Sequence, residues 1–197
     1  LLHNLDIPMV FLNSYFSDQC SCVEVDNRVA ELKATEHLIK TGYRSIVFIG
    51  GKDALSNDAR MNGYKDALEK FNIPVRSEFI KNGEFSIESG YSLIKRVFES
   101  GYKPDAVVCG NDVIALGVLQ YAREQGMNIP EEFGVIGFDN IELSSLPQIN
   151  LSTVAQPRKE MGDCAVRLLI KQFDEEEKKE IEKRIFKTSL ILRSTTR

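Results

Sequence analysis

Tryptophan is absent from these 197 residues, histidine occurs only at positions 3 and 37, and cysteine occurs four times. Two imidazoles leave little material for general-base or metal chemistry, and His37 lies inside a helical pattern where packing or surface exposure accounts for it. Cys20 and Cys22 stand one residue apart, tighter than the paired C-x2-4-C units of zinc sites. Cys109 and Cys164 fall in apolar strand and helix patterns and read as small buried hydrophobes. No apolar run approaches the roughly 20 residues that span a bilayer. The first residues, LLHNLDIPMV, carry neither a basic n-region nor a small-residue cleavage site, so the expected compartment is the cytoplasm, with reduced thiols. The formal net charge is −4 and no Lys/Arg stripe stands out, which argues against direct nucleic-acid binding by this chain. GxGxxG, Walker A and G-x-S-x-G patterns are also missing. The expectation is therefore a protein that is not an enzyme, with no catalytic residues, cofactor, metal or membrane contact.

What is present is a core and a rhythm. Hydrophobic residues make up 43% of the chain, enough for one large domain or two small ones. Apolar strand-like runs alternate with amphipathic stretches almost from end to end. PMVFLNSY (8–15), CVEV (22–25), SIVFIGG (45–51), EFIKNG (78–83), AVVCGN (106–111), GVIGFDN (134–140), LSTVAQ (151–156) and a long final RIFKTSLILRSTT (184–196) read as strands. Between them, helices are expected over 28–41 (Val29, Leu32, Thr35 and Ile39 inward, Gly42 closing), about 58–71 (Tyr64, Leu68, Phe71) and from Ser86 as N-cap (Tyr91, Ile94, Val97, Phe98). Two more are expected over 112–125, closed by Gly126, and from Pro157 (Met161, Ala165, Leu168, Leu169 inward). The run DEEEKKEIEKR reads as a solvated helix end and linker. Strand–helix–strand at this spacing gives an α/β fold of right-handed βαβ units and mostly parallel sheets flanked by helices.

In such sheets ligands sit at the carboxyl ends of the strands. The polar and aromatic groups expected there are Asn13, Ser56, Arg60, Phe85, Asn111, Asp139 and Gln156. Asp112, next to Asn111, reads as a helix N-cap, and Asn111 as an amide facing the crevice. Arg60, placed in a first helical turn where a cation opposes the macrodipole, invites a second role, its fork reaching a hydroxyl or carboxylate. Phe85 reads either as a hydrophobic staple or as a platform for the apolar face of a sugar ring. Amides, a carboxylate, a guanidinium and an aromatic together suit a polyhydroxylated ligand, whose hydroxyls both donate and accept.

The phrases IPMVFLN, ATEHLIKTGYRSIVFIGG, ARMNGYKDAL, VVCGNDVIALGVLQYAREQGMNIPEEFGVIGFDN, LPQINLSTVAQP and LILRSTT run in order along the chain. The sequence resembles the effector-binding core of LacI/GalR-type bacterial transcription regulators, a periplasmic-binding-protein-like fold. That resemblance carries the family's sensor pocket onto the same seven positions: Asn13, where many relatives have Asp, Ser56, Arg60, Phe85, Asn111, Asp139 and Gln156. NSYF and CSC together with ARMN look most like the arabinose-responsive repressors, which implies a pentose or another monosaccharide as effector.

Against the family pattern, the chain lacks an N-terminal DNA-binding head and the strands that precede IPMVFLN, so it resembles a fragment of a longer regulator. The expected division is a partial N-terminal lobe (1–26 and 157–182) and a C-terminal lobe (27–156 and 183–197), with hinge crossings near Asp26, Gln156 and Lys183. An incomplete lobe exposes a strand edge and apolar surface, which favours a homodimer or larger assembly. The expected function is repressor-type sensing, in which a ligand bound between lobes favours a closed arrangement and so controls DNA binding by the absent head. Two other readings stand beside it: a sugar-binding protein of a transport system, and a doubly wound enzyme for which no base, nucleophile or phosphate loop is evident.

Overall fold

The computed structural model describes residues 7–13, 20–52, 55–173 and 181–197. The chain divides into two compact units, Leu1–Asp26 with Gln156–Lys187, and Asn27–Ala155 with Thr188–Arg197.

The larger unit is built on a six-stranded sheet. Its strands are β3 (Ile46–Gly51), β4 (Ile80–Gly83), β5 (Ala106–Cys109), β6 (Gly134–Asp139), β7 (Ser152–Ala155) and β9 (Ser189–Ile191). Their order is β4-β3-β5-β6-β7-β9, parallel except for the antiparallel β7–β9 edge. Continuous apolar runs such as IVFI and AVVC are what a parallel sheet buried on both faces demands, and β3 and β5 are buried at every residue. Helices α3 (Ile87–Glu99) and α4 (Asp112–Glu124) cover one face; Val47, Ile49, Ile94, Val107, Ile114, Val118 and Val135 fill the core there. The other helices of this unit, α1 (Asn27–Lys40) and α2 (Leu55–Lys70), pack on each other. Each fully buried Ile, Val or Phe contributes about 1.5–3 kcal/mol of transfer free energy, so the paired layers dominate stability.

The first helix buries only part of the row expected inward, Thr35 and Ile39. Val29 is 42% exposed and Leu32 is half-buried. The buried residues are Asn27, Ala30, Glu31, Ala34, Thr35, Glu36, Leu38 and Ile39. Close packing against α2 selects small side chains, which hydrophobicity alone does not flag. Gly42 closes α1 at φ 108, with its amide on the Ile39 carbonyl, as expected of a C′ glycine. Ser86 caps α3 by accepting the Ser89 amide.

The smaller unit has three parallel strands in the order β1-β2-β8: β1 (Val10–Leu12), β2 (Ser21–Val25) and β8 (Lys183–Phe186). Helix α5 (Arg158–Lys171) packs on β1 and β2 and buries Met161 and Leu168. The Gln172 side chain brackets the Met9 backbone, accepting from its amide at 2.8 Å and donating to its carbonyl at 3.1 Å. Two expectations fail here. The final segment is not one long strand: β8 and β9 belong to different sheets, and two residues, Lys187 and Thr188, separate them. Cys164 is half-buried rather than buried, because it lies beside the inward row of α5, whereas Cys20, Cys22 and Cys109 are buried; all four are free. Most of the charge run and His3 lie outside the described residues.

Candidate functional site

Asn111, not Asp112, takes the capping role that the sequence suggests for Asp112. Asn111 sits at the N-cap with extended backbone (φ −156, ψ 173), and its Oδ1 accepts the Ile114 amide at 2.8 Å. Asp112 is already the first helical residue, so its side chain cannot fold back over the helix end and instead leaves the helix sideways. There it is fully buried; Oδ1 accepts the Thr153 hydroxyl at 2.6 Å and Oδ2 the Ile141 amide at 2.8 Å. Burial pushes its carboxyl up to about 6, against the pull of those two hydrogen bonds.

Arg60 lies in the second turn of α2, not the first, because the helix starts at Leu55. It is only 4% exposed. Its Nε donates to Asn27 Oδ1 at 2.8 Å, and its Nη1 donates to the Gly110 carbonyl. The guanidinium lies 3.5 Å from the centroid of the Phe138 ring, and Nη2 lies 4.0 Å from Asp139 Oδ1. Desolvation lowers its proton affinity, while Asp139, Glu31 and Asp112 raise it. The protein thus uses much of the Arg60 fork itself, leaving Nη2 beside a half-buried carboxylate.

Asp139 ends β6 at φ 108 and Asn140 follows at φ 51, a region that L side chains rarely adopt. Thr153 Oγ1 accepts the Asn140 amide at 3.3 Å, and Arg193 Nη2 donates to Asn140 Oδ1 at 2.8 Å. Phe85 follows β4, is 42% exposed, and lays its ring over Gly51 so closely that a Cβ there would meet it at 2.0 Å. Ser56 is half-buried on the first turn of α2, one turn before Arg60. The larger unit therefore brings Arg60, Asp139 and the Gly110–Asn111 corner together, with Ser56 one turn away on α2 and Phe85 following β4.

The other two candidates belong to the smaller unit. Asn13 follows β1 at φ 54 and donates its amide to the Val23 carbonyl at 2.8 Å. Gln156 follows β7 and is half-buried, its carbonyl accepting from the Arg158 amide at 2.8 Å. His37 is partly buried on α1 with Nε2 3.4 Å from Thr196 Oγ1, a packing position.

Sequence reasoning missed Asn27, Asn57 and Phe138. Asn57 accepts the Gly51 amide at 3.0 Å and donates to Asn82 Oδ1 at 3.2 Å, tying α2 to β3 and β4. The signal for Phe138 was in plain sight, an aromatic directly before the strand-end carboxylate. Nothing local marks Asn27 as the partner of a residue 33 positions away.

The model of the periplasmic binding protein-like domain family matches residues 35–196. The chain belongs to this family. Its relatives are LacI-type regulators. Catabolite control protein A of Priestia megaterium is 34% identical over 173 residues, 86% of this chain and 52% of that protein. The arabinose metabolism transcriptional repressor of Geobacillus stearothermophilus is 30% identical over 203 residues, 100% of this chain and 55% of its own length. A LacI-family regulator of Enterococcus faecium, solved with bound ribose, superposes with a TM-score of 0.85 at 27% identity, covering 96% of this chain and 70% of that one. The chain spans about half the length of these two relatives. The G. stearothermophilus relative is named as a transcriptional repressor, and no helix among the described residues is long and apolar enough to cross a membrane.

Proposed function

We propose that this domain is the sensor of a bacterial transcription regulator and binds a small polyhydroxylated effector, a monosaccharide with a pentose as first choice. The observation that supports it best is the pairing of a buried, stacked Arg60 with the Asp139 carboxylate at 4.0 Å. A fixed donor fork beside an acceptor-only group matches adjacent sugar hydroxyls, which accept from one and donate to the other. Asn111 adds its amide nitrogen, Ser56 a hydroxyl and Phe85 an aromatic face. Ribose in the E. faecium regulator and arabinose in the name of the G. stearothermophilus repressor agree with a pentose.

Effector binding would act on DNA through a head carried by the full-length regulator, by favouring one arrangement of the protein over another. A homodimer is proposed with it, supported by the exposed apolar residues Val166 and Ile170 on α5 and Phe173 just beyond its end, and sedimentation velocity of the purified chain tests it. Calorimetric titration with L-arabinose, D-ribose and a nucleobase panel tests the ligand. Saturable sugar binding that disappears in Arg60→Ala and Asp139→Asn supports the reading; nucleobase binding without affinity for either sugar overturns it.

A further inference from the structure

We propose that Asp112 is the positioning residue of this site, holding the left-handed Asp139–Asn140 turn in the conformation that sets the Asp139 carboxylate beside Arg60. The inference rests on the reading of Asp139 as a ligand-binding group.

Four observations carry it. Helix capping is already done by Asn111, so the buried Asp112 carboxylate is not needed there. Both of its oxygens are nevertheless engaged, one by Ile141, the residue immediately after the two positive-φ positions, and one by Thr153. Thr153 in turn accepts the Asn140 amide, so the turn is tied at two successive amides, directly at Ile141 and through the threonine at Asn140. Finally, β6 makes room for this crossing: a Cβ on Gly137 would lie 2.2 Å from Asp112 Oδ1. A strained turn at a strand end persists only where its surroundings over-determine it, and Asp112 is the group on which these ties converge.

The arrangement is sensitive to protons. Asp139 on β6 faces Asp112 and raises its proton affinity, Arg193 after β9 lowers it, and Arg60 on α2 and Cys109 on β5 feel its charge. Helix α3 approaches α4 through the backbone of Ile87 and Gly90. A protonated carboxyl has one hydroxyl and one strong acceptor, so it keeps one tie and weakens the other. With its carboxyl raised to about 6, Asp112 makes effector affinity fall as the pH drops through that value.

The test uses the full chain as wild type, Asp112→Asn and Thr153→Val, the last removing one tie while leaving the carboxylate. Amide exchange at Ile141 is followed by NMR, the Asp139 carboxyl by its 13C resonance, and affinity for D-ribose and L-arabinose by calorimetry from pH 5 to 8. Expected are at least tenfold faster Ile141 exchange in Asp112→Asn, and wild-type affinity at least tenfold tighter at pH 7.5 than at pH 5. That pH dependence is flattened in Asp112→Asn, with Thr153→Val intermediate. Unchanged Ile141 exchange overturns the proposal, and so does lost protection with wild-type affinity and pH profile. If the wild type binds neither sugar, the pentose reading fails separately. The positioning role then stands if Ile141 exchange accelerates and the Asp139 resonance moves in Asp112→Asn, and falls if that resonance stays in place.

Discussion

The Arg60 guanidinium lies face-on to the Phe138 ring at 3.5 Å from its centroid, and both groups are buried. A desolvated cation–π pair of this kind contributes about 2 kcal/mol, more than an exposed one, because water no longer competes for the cation. A double-mutant cycle with Arg60→Met and Phe138→Leu should therefore give a coupling energy of about 1–2 kcal/mol in urea denaturation. Additive effects of the two substitutions would show that the ring merely fills space.

Glu31 offers a stability test with a defined sign. Both of its carboxylate oxygens are buried without a hydrogen-bond partner, and desolvation pushes the carboxyl from 4.5 up to about 8, with Arg60 pulling the other way. The native chain therefore keeps this proton over a range where the unfolded chain has lost it. Its contribution is fully present below the unfolded value and declines by about 1.4 kcal/mol per pH unit until the folded value is passed. Urea midpoints at pH 5.5, 7 and 8.5 should fall more steeply for the wild type than for Glu31→Gln. Parallel pH profiles would mean that the carboxyl is not held neutral.

The contrast between Glu31 and the strands shows what the sequence could disclose. Runs such as SIVFIGG and AVVCGN announce their strands because burial on both faces requires unbroken apolar residues, and strand-end positions then pick out Asn111 and Asp139. Ser86 and Gly42 were legible because capping chemistry is local. Side-chain direction was not. Whether Asn111 or Asp112 caps α4 depends on a one-residue shift in where the helix starts, and the partners that decide it, Thr153 and Ile141, lie 41 and 29 residues away. On α1, Thr35 and Ile39 were legible as inward, but Ala30, Glu31 and Ala34 stayed hidden for a similar reason, since that part of the face is chosen by close approach of helices and carries a carboxylate.

At Asp139 the side chain and the backbone have opposite demands. A φ of 108 costs a non-glycine residue on the order of 1–3 kcal/mol, which glycine would not incur. Asp139→Gly should then be more stable than Asp139→Ala by about 1 kcal/mol in thermal or urea unfolding, while both lose sugar affinity. Equal stability of the two variants would place the strain elsewhere in the turn.

Gly51 and Phe85 allow the aromatic face to be removed without touching it. A methyl group on Gly51 would sit 2.0 Å from the Phe85 Cζ, inside any tolerable contact, so the ring must move. Phe85 is exposed enough to swing outward, and its displaced atoms are the far end of a rotatable side chain rather than backbone. Gly51→Ala should therefore cost little stability, about 1 kcal/mol or less, yet weaken sugar binding nearly as much as Phe85→Ala does. Stacking against a sugar face depends on ring placement, whereas a staple for α3 would register in stability instead. Calorimetric affinity measured beside the melting temperature separates the two roles: a large fall in stability with unchanged affinity in both variants would return Phe85 to a packing role.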